Sequence, residues 1–312
     1  MNKNSKIFIA GHNGLVGKTI LEILKKEKYK NLLYIEKNKL DLRNQLKVNR
    51  YFDKNRPDYV FLVAAKVGGI LTNINQKAEL IYDNILIQSN IIHASYKTGV
   101  KKLLFLGSNC IYPKKLNRPL KETDLNFGDF EKTNDAYAVA KVSGIKMCQS
   151  YNYQYKTNFL TLIPSSIFGS NDHYNENNSH FLTSLINRLI EFKFNKKKNF
   201  LIWGNGEPKR EVIYQDDVAL ACIYFMKKKK LRHDIINIGS GYELKIKNFL
   251  HILLKIIKPK KKFNIYFDKK KPNGIKRKVL NSKIAYSYGW KPKFTLLEGL
   301  KRTIKSYSNS KF

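Results

Sequence analysis

The chain opens with a feature that leaves few folds available to it. Residues 6–10, Lys-Ile-Phe-Ile-Ala, read as a buried strand, and Gly11-His12-Asn13-Gly14-Leu15-Val16-Gly17 follows without a break. An amphipathic helix begins inside that loop, with Ile20, Leu21, Ile23 and Leu24 as its apolar positions. Strand, glycine turn and helix in this order make the first half of a dinucleotide-binding unit. The first glycine permits a tight turn, the second lets a pyrophosphate approach the backbone, and the third allows the helix to pack closely. The helix N-terminus then presents free N–H groups and a partial positive charge to an anion.

The alternation continues along the chain. Strands are expected at 31–36, 58–65, 101–108 and 159–163, separated by helices at about 44–55 and 76–98 and by a helix carrying Tyr137. That order predicts a doubly wound parallel α/β sheet of the Rossmann type, with ligands outside the carboxyl ends of the strands. Residues 1–168 and about 211–241 are assigned to it. A smaller mixed α/β unit for substrate is expected from about 169–210 and 242–312. A chain of 312 residues with 43% hydrophobic content can fill both cores.

Several strand ends bring chemistry to one edge. Leu106-Gly107-Ser108 closes the fourth strand, and Cys110 lies two residues on. Tyr137 and Lys141, four apart, leave one face of their helix a turn apart. An ammonium close to a phenol is expected to pull the phenol pKa down and make it a usable proton donor or acceptor. The fifth strand closes on Pro164-Ser165-Ser166-Ile167. Glu36 stands 36 − 17 = 19 residues past Gly17, near the position from which an acid accepts a ribose 2′-hydroxyl. Its neighbour Lys37 would instead favour a 2′-phosphate.

Charge and cysteine content narrow the alternatives. The 59 Lys+Arg against 24 Asp+Glu give a net charge of +35, which raises a nucleic-acid partner. The lysines, however, sit in almost every segment, with no aromatic interleaving and no reader motif, so no nucleic-acid partner is expected. Cys110, Cys148 and Cys222 show no metal-ligand spacing and suit a reducing cytoplasm. No apolar run approaches the ~20 residues needed to span a bilayer, and the N-terminus lacks a signal-peptide pattern.

With glycine loop, strand-end serine and Tyr-x-x-x-Lys in order, the chain resembles the extended short-chain dehydrogenase/reductase family. Within it the likeness is to enzymes that epimerise and reduce GDP-linked 4-keto-6-deoxy sugars. It runs from residue 6 to about 300, through Phe8 to Gly14, Ala64 to Gly69, Leu103 to Ser108, Cys110 to Pro113, Asn178-Ser179-His180 and Trp203 to Glu211. The resemblance implies that NADPH supplies hydride, and that C3 and C5 are inverted before C4 is reduced. It implies catalytic roles for Ser108, Tyr137 and Lys141, with Cys110 and His180 exchanging the ring protons. Cofactor contacts are implied for residues 11–17, Glu36, Lys37, Leu106, Gly107, Ser108, Lys141, Pro164, Ser165, Ser166, Ile167 and His180. Arg188, Trp203, Arg210 and Asn273 match positions that hold the nucleotide of the substrate.

The chain also departs from the family pattern. Asn13 replaces a frequently basic residue and, with Glu36, leaves NAD(H) open beside NADP(H). Ser166 stands for an asparagine and Asn273 for an aspartate. Relatives are commonly homodimers through paired helices of the sheet domain. Three further readings remain at this stage: a close relative that acts on a 3,6-dideoxy sugar to make GDP-colitose, a nucleotide-sugar 4-epimerase or dehydratase with retained NAD, and a nucleic-acid-binding descendant of the fold.

Overall fold

The computed structural model describes residues 1–125, 128–172, 181–194, 199–229, 231–259, 263–270 and 274–311. The chain begins β1 (Lys6–Ala10), α1 (Leu15–Lys26), β2 (Asn31–Leu33), α2 (Gln45–Asn55), β3 (Tyr59–Leu62), α3 (Ile70–Asn75), α4 (Lys77–Lys97) and β4 (Lys102–Leu106). It continues through α5 (Asp135–Tyr155), β5 (Phe159–Pro164), β6 (Ser166–Phe168), α6 (Phe181–Phe194), β7 (Asn199–Trp203), β8 (Lys209–Tyr214) and α7 (Gln215–Lys227). The last elements are β9 (Ile235–Ile238), β10 (Glu243–Lys245), α8 (Ile246–Ile257), β11 (Asn264–Asp268), β12 (Arg277–Lys278), α9 (Lys283–Ser287) and α10 (Leu296–Lys311).

Six strands form one sheet in the order β2-β1-β3-β4-β5-β9, every pair parallel. Alternation within each strand sets the layers. Phe8, Val60, Leu62, Leu103 and Phe105 join one core with residues of α2, α4 and α5. Ile7, Ile9, Phe61, Leu104 and Leu106 join the opposite core with α1 and α7. Both faces are covered, which is why these strands read as continuous apolar runs. The chain steps from β1 out to β2 and then back to β3 on the other side of β1. That reversal opens a crevice at the carboxyl ends of β1 and β3.

The strands stop short of the expected ends. β2 ends at Leu33 rather than 36 because the chain curls, with the N–H groups of Lys39 and Leu40 both donating to the Glu36 carbonyl. β3 ends at Leu62 and β4 at Leu106, so 63–69 and 107–113 are free to shape the edge where ligands bind. A third core joins Leu182, Ile186 and Ile190 of α6 to Phe200, Phe249, Leu253, Leu300 and Tyr307. The sequence placed everything after 242 with this smaller unit. Ala285 of α9 and Trp290 instead pack in the sheet core beside α7 and β9.

Candidate active site

The glycine loop is built by steric necessity. A Cβ on Gly17 would lie 2.0 Å from the Gly11 carbonyl oxygen, and one on Gly11, at φ +96°, would lie 2.7 Å from the Ala64 backbone. Either would push α1 or the 63–69 segment away from β1. Gly14 differs, since its nearest neighbour would be 3.5 Å away. Gly14 N-caps α1 with no side-chain cap, leaving the first N–H groups of Leu15, Val16 and Gly17 for an anion. At the other end of the crevice Ser165 is 2% exposed, and its Oγ has no hydrogen-bond partner among the described residues. An orphaned hydroxyl and an uncapped helix end at opposite sides of the switch point fit a dinucleotide lying between them. Ser166 and Ile167 depart from the expected strand-end loop and enter β6, pairing with Val212 and Ile213.

The catalytic cluster assembles where β4 ends. Ser108 caps the short turn Asn109–Ile111, its Oγ accepting from the Cys110 N–H at 3.4 Å. That turn packs on α5, which carries Tyr137 and Lys141. Lys141 is 3% exposed, donates to the Leu106 carbonyl at 2.9 Å, and has its Nζ 4.6 Å from the Phe105 ring centre and 5.8 Å from that of Tyr137. Burial lowers its pKa to about 8.

One expectation is reversed here. The phenol of Tyr137 is pushed up, not down: burial dominates, Cys110 adds to it, and the hydrogen bond with Ser108 only partly offsets it. Lys141 spends its ammonium on the Leu106 carbonyl rather than on the phenolate. Tyr137 is therefore held neutral. Cys110 is 5% exposed and its thiol is also raised by burial, while Lys278, Ser108 and Lys141 pull it back, Lys278 most strongly. Cys148 and Cys222 are buried in helices, as core residues should be.

Lys278 carried no motif and was not legible in the sequence. β12 runs parallel to β8 with Lys278 opposite Arg210, and just beyond it Leu280 bridges to Leu120, on the segment that leads away from Cys110. This folding-back brings the Lys278 charge near enough to act on the thiol. Arg210 donates to the carbonyls of Ile275 and Lys209 at 2.6 and 2.8 Å, and burial lowers it to about 10. Among the described residues it makes no ion pair. Alternate residues of the same strands face the other way. There Lys209, Arg277 and Lys245, paired with Glu243 or Glu207, line a cleft of about 620 Å³ that holds none of the catalytic side chains.

Arg188 is not a free clamp: its guanidinium donates to the Leu201 carbonyl and lies 4.8 Å from the centre of the Phe200 ring. Trp203, at the end of β7, is 45% exposed. His180 and Asn273 lie outside the described residues.

Doubly wound sheet, glycine loop at its switch point and a Ser-Tyr-Lys cluster with its lysine buried at the adjoining strand end define a dinucleotide-dependent α/β enzyme that works on carbonyl chemistry. Residues 7–239 match the family model described as the NAD dependent epimerase/dehydratase family, and the chain belongs to that family. It is 41% identical to a putative GDP-L-fucose synthase 2 of Arabidopsis thaliana, covering 98% of this chain and 93% of that one. It is 40% identical to a GDP-L-fucose synthase of Sinorhizobium fredii, covering 97% and 95%. Among solved structures it resembles a GDP-mannoheptose C4 reductase of Campylobacter jejuni with NADP bound, at a TM-score of 0.90, 34% identity and 99% coverage of both chains.

Proposed function

We propose that the chain converts GDP-4-keto-6-deoxy-D-mannose to GDP-L-fucose at one site, inverting C3 and C5 and then reducing C4 with NADPH. The observation that carries this reading is the convergence of Ser108, Cys110, Tyr137 and Lys141 at the end of β4. The chain's relatives named for this synthesis are matched over nearly their whole length.

The C4 ketone acidifies the protons on C3 and C5, so a base on one side of the ring and an acid on the other invert each centre through an enolate. Cys110 is one of these groups and His180 is assigned as the other. Tyr137, kept neutral by its loss of water contact, donates a hydrogen bond to the enolate oxygen together with Ser108. NADPH, when bound, supplies the hydride that C4 receives. Tyr137 then gives its proton to O4. Lys141, fixed by the Leu106 carbonyl, holds the ribose next to the nicotinamide. Ser165 and the N-terminus of α1 hold the rest of the dinucleotide. Arg210 and Lys278, two partly buried cations that make no ion pair among the described residues, face the diphosphate or the sugar oxygens. Trp203 and Asn273 are assigned to the guanosine, and Arg188 shapes the same wall by holding β7.

Two copies pair through α4 and α5, whose outward sides expose Tyr82 to 63%, Ile85 to 36% and Val139 to 41%. The enzyme works in the cytoplasm, where its three free thiols stay reduced. Among the described residues no helix is long and apolar enough to cross a membrane.

The test is to incubate the protein with GDP-4-keto-6-deoxy-D-mannose and NADPH in heavy water. GDP-L-fucose carrying deuterium at C3 and C5 is expected. An unlabelled C4-reduced sugar would leave only a ketone reductase. Cys110→Ser should slow the labelling about a hundredfold or more while sparing reduction of the 4-keto group.

A further inference from the structure

Resting on that reading, we infer that the adenosine end of the dinucleotide site does not select NADPH over NADH. Glu36, fixed by Asn13 and His12, is a seat for a ribose 2′-hydroxyl, beside lysines that still tolerate a 2′-phosphate. The Asn13 Nδ2 donates to Glu36 Oε2 at 2.7 Å, and His12 Nε2 lies 3.3 Å from Oε1. His12 is 6% exposed, with its ring centre 5.2 Å from that of Tyr34, so the clamp is anchored in the fold. The Glu36 side chain is itself 55% exposed, which leaves lone pairs of the carboxylate open to a ligand. An ionised carboxylate only accepts hydrogen bonds. It suits the hydroxyl of NADH, whereas the phosphate of NADPH brings further acceptors and negative charge.

The guanidinium nearest in sequence cannot answer that charge. Arg43 is committed through Nε and Nη2 to Asp41 and through Nη1 to Asp83, and Lys66 also pairs with Asp83. Lys37 and Lys39 remain exposed on the turn. They attract a phosphate without a fixed bidentate partner, an attraction that salt screens. A fixed acceptor for the hydroxyl and a diffuse attraction for the phosphate oppose each other, and neither cofactor is shut out.

The test is calorimetric titration with NADP⁺ and NAD⁺, without sugar, alongside kcat/KM for NADPH and NADH. The two dissociation constants should fall within about tenfold of each other. Glu36→Gln, at an exposed position, should weaken NAD⁺ and tighten NADP⁺, moving the ratio about tenfold. Asn13→Arg should move it the same way, and added salt should weaken NADP⁺ more than NAD⁺. NADP⁺ binding more than about a hundredfold tighter than NAD⁺ to the unaltered protein would overturn the inference alone. So would an unchanged ratio in Glu36→Gln. Binding of neither dinucleotide would overturn the proposed function with it.

Discussion

At the carboxyl edge of the six-stranded sheet the reactive groups are held close together in sequence and by the backbone of one strand. Leu106 holds Lys141, Ser108 caps Cys110, and both meet Tyr137 across one short turn. On β8 and β12 the cations come from segments almost 70 residues apart: Arg210 is held by the carbonyls of Ile275 and Lys209, and Lys278 stands opposite it. The first region sets proton affinities by burial: phenol and thiol up, ammonium down. The second sets two cations side by side, which on the proposed function meet an anionic substrate. On that reading the chemistry is preorganised before binding, while the nucleotide side is completed by the substrate itself.

Substitutions should separate the two regions. Tyr137→Phe removes the proton donor and should cut C4 reduction by about 10²–10⁴-fold. Dinucleotide affinity, measured by calorimetry, should change little; a variant that still turns over well ends the donor role. Arg210→Met should act through KM, raising it for the GDP-sugar by about tenfold or more at nearly constant kcat. A loss confined to kcat would move Arg210 to the chemical region.

Lys278 lies on the seam between them. Lys278→Met removes the strongest charge favouring the Cys110 thiolate, so the thiol needs a higher pH to ionise. Proton exchange at C3 and C5 should shift to higher pH, and so should alkylation of Cys110, with Lys278→Arg restoring both. Unchanged profiles would leave Lys278 a phosphate contact only.

The last effect is far from the site. Lys102, 2% exposed, donates to the carbonyls of Phe225 and Lys228 and is lowered to about 8 by burial. Its folded pKa lies below the unfolded value, so the unfolded chain binds more protons between about pH 8 and 10. Over that interval stability should rise, relative to Lys102→Met, by on the order of 2 kcal/mol. Parallel denaturation curves for the two proteins would refute the assignment.

Much of this was legible before folding. The glycine loop, the order of apolar runs and the Tyr-x-x-x-Lys spacing are local patterns, and periodicity reports them directly. Strand ends were overextended because hydrophobic runs continue into the loops that line the crevice. The Tyr137–Lys141 spacing put both groups on one face correctly, but it could not reveal that the Leu106 carbonyl would take the ammonium.

The sequence by itself determined the parallel sheet, the glycine turn and the candidates for the reactive side chains, since each depends on neighbours within a few residues or on the order of elements. Only the tertiary structure decided that Tyr137 stays protonated, that Glu36 is clamped by Asn13 and His12, and that the Lys278 charge acts on Cys110. Proton affinity depends on the removal of water and on charges brought in from remote segments, and neither quantity is written in the spacing of residues along a chain.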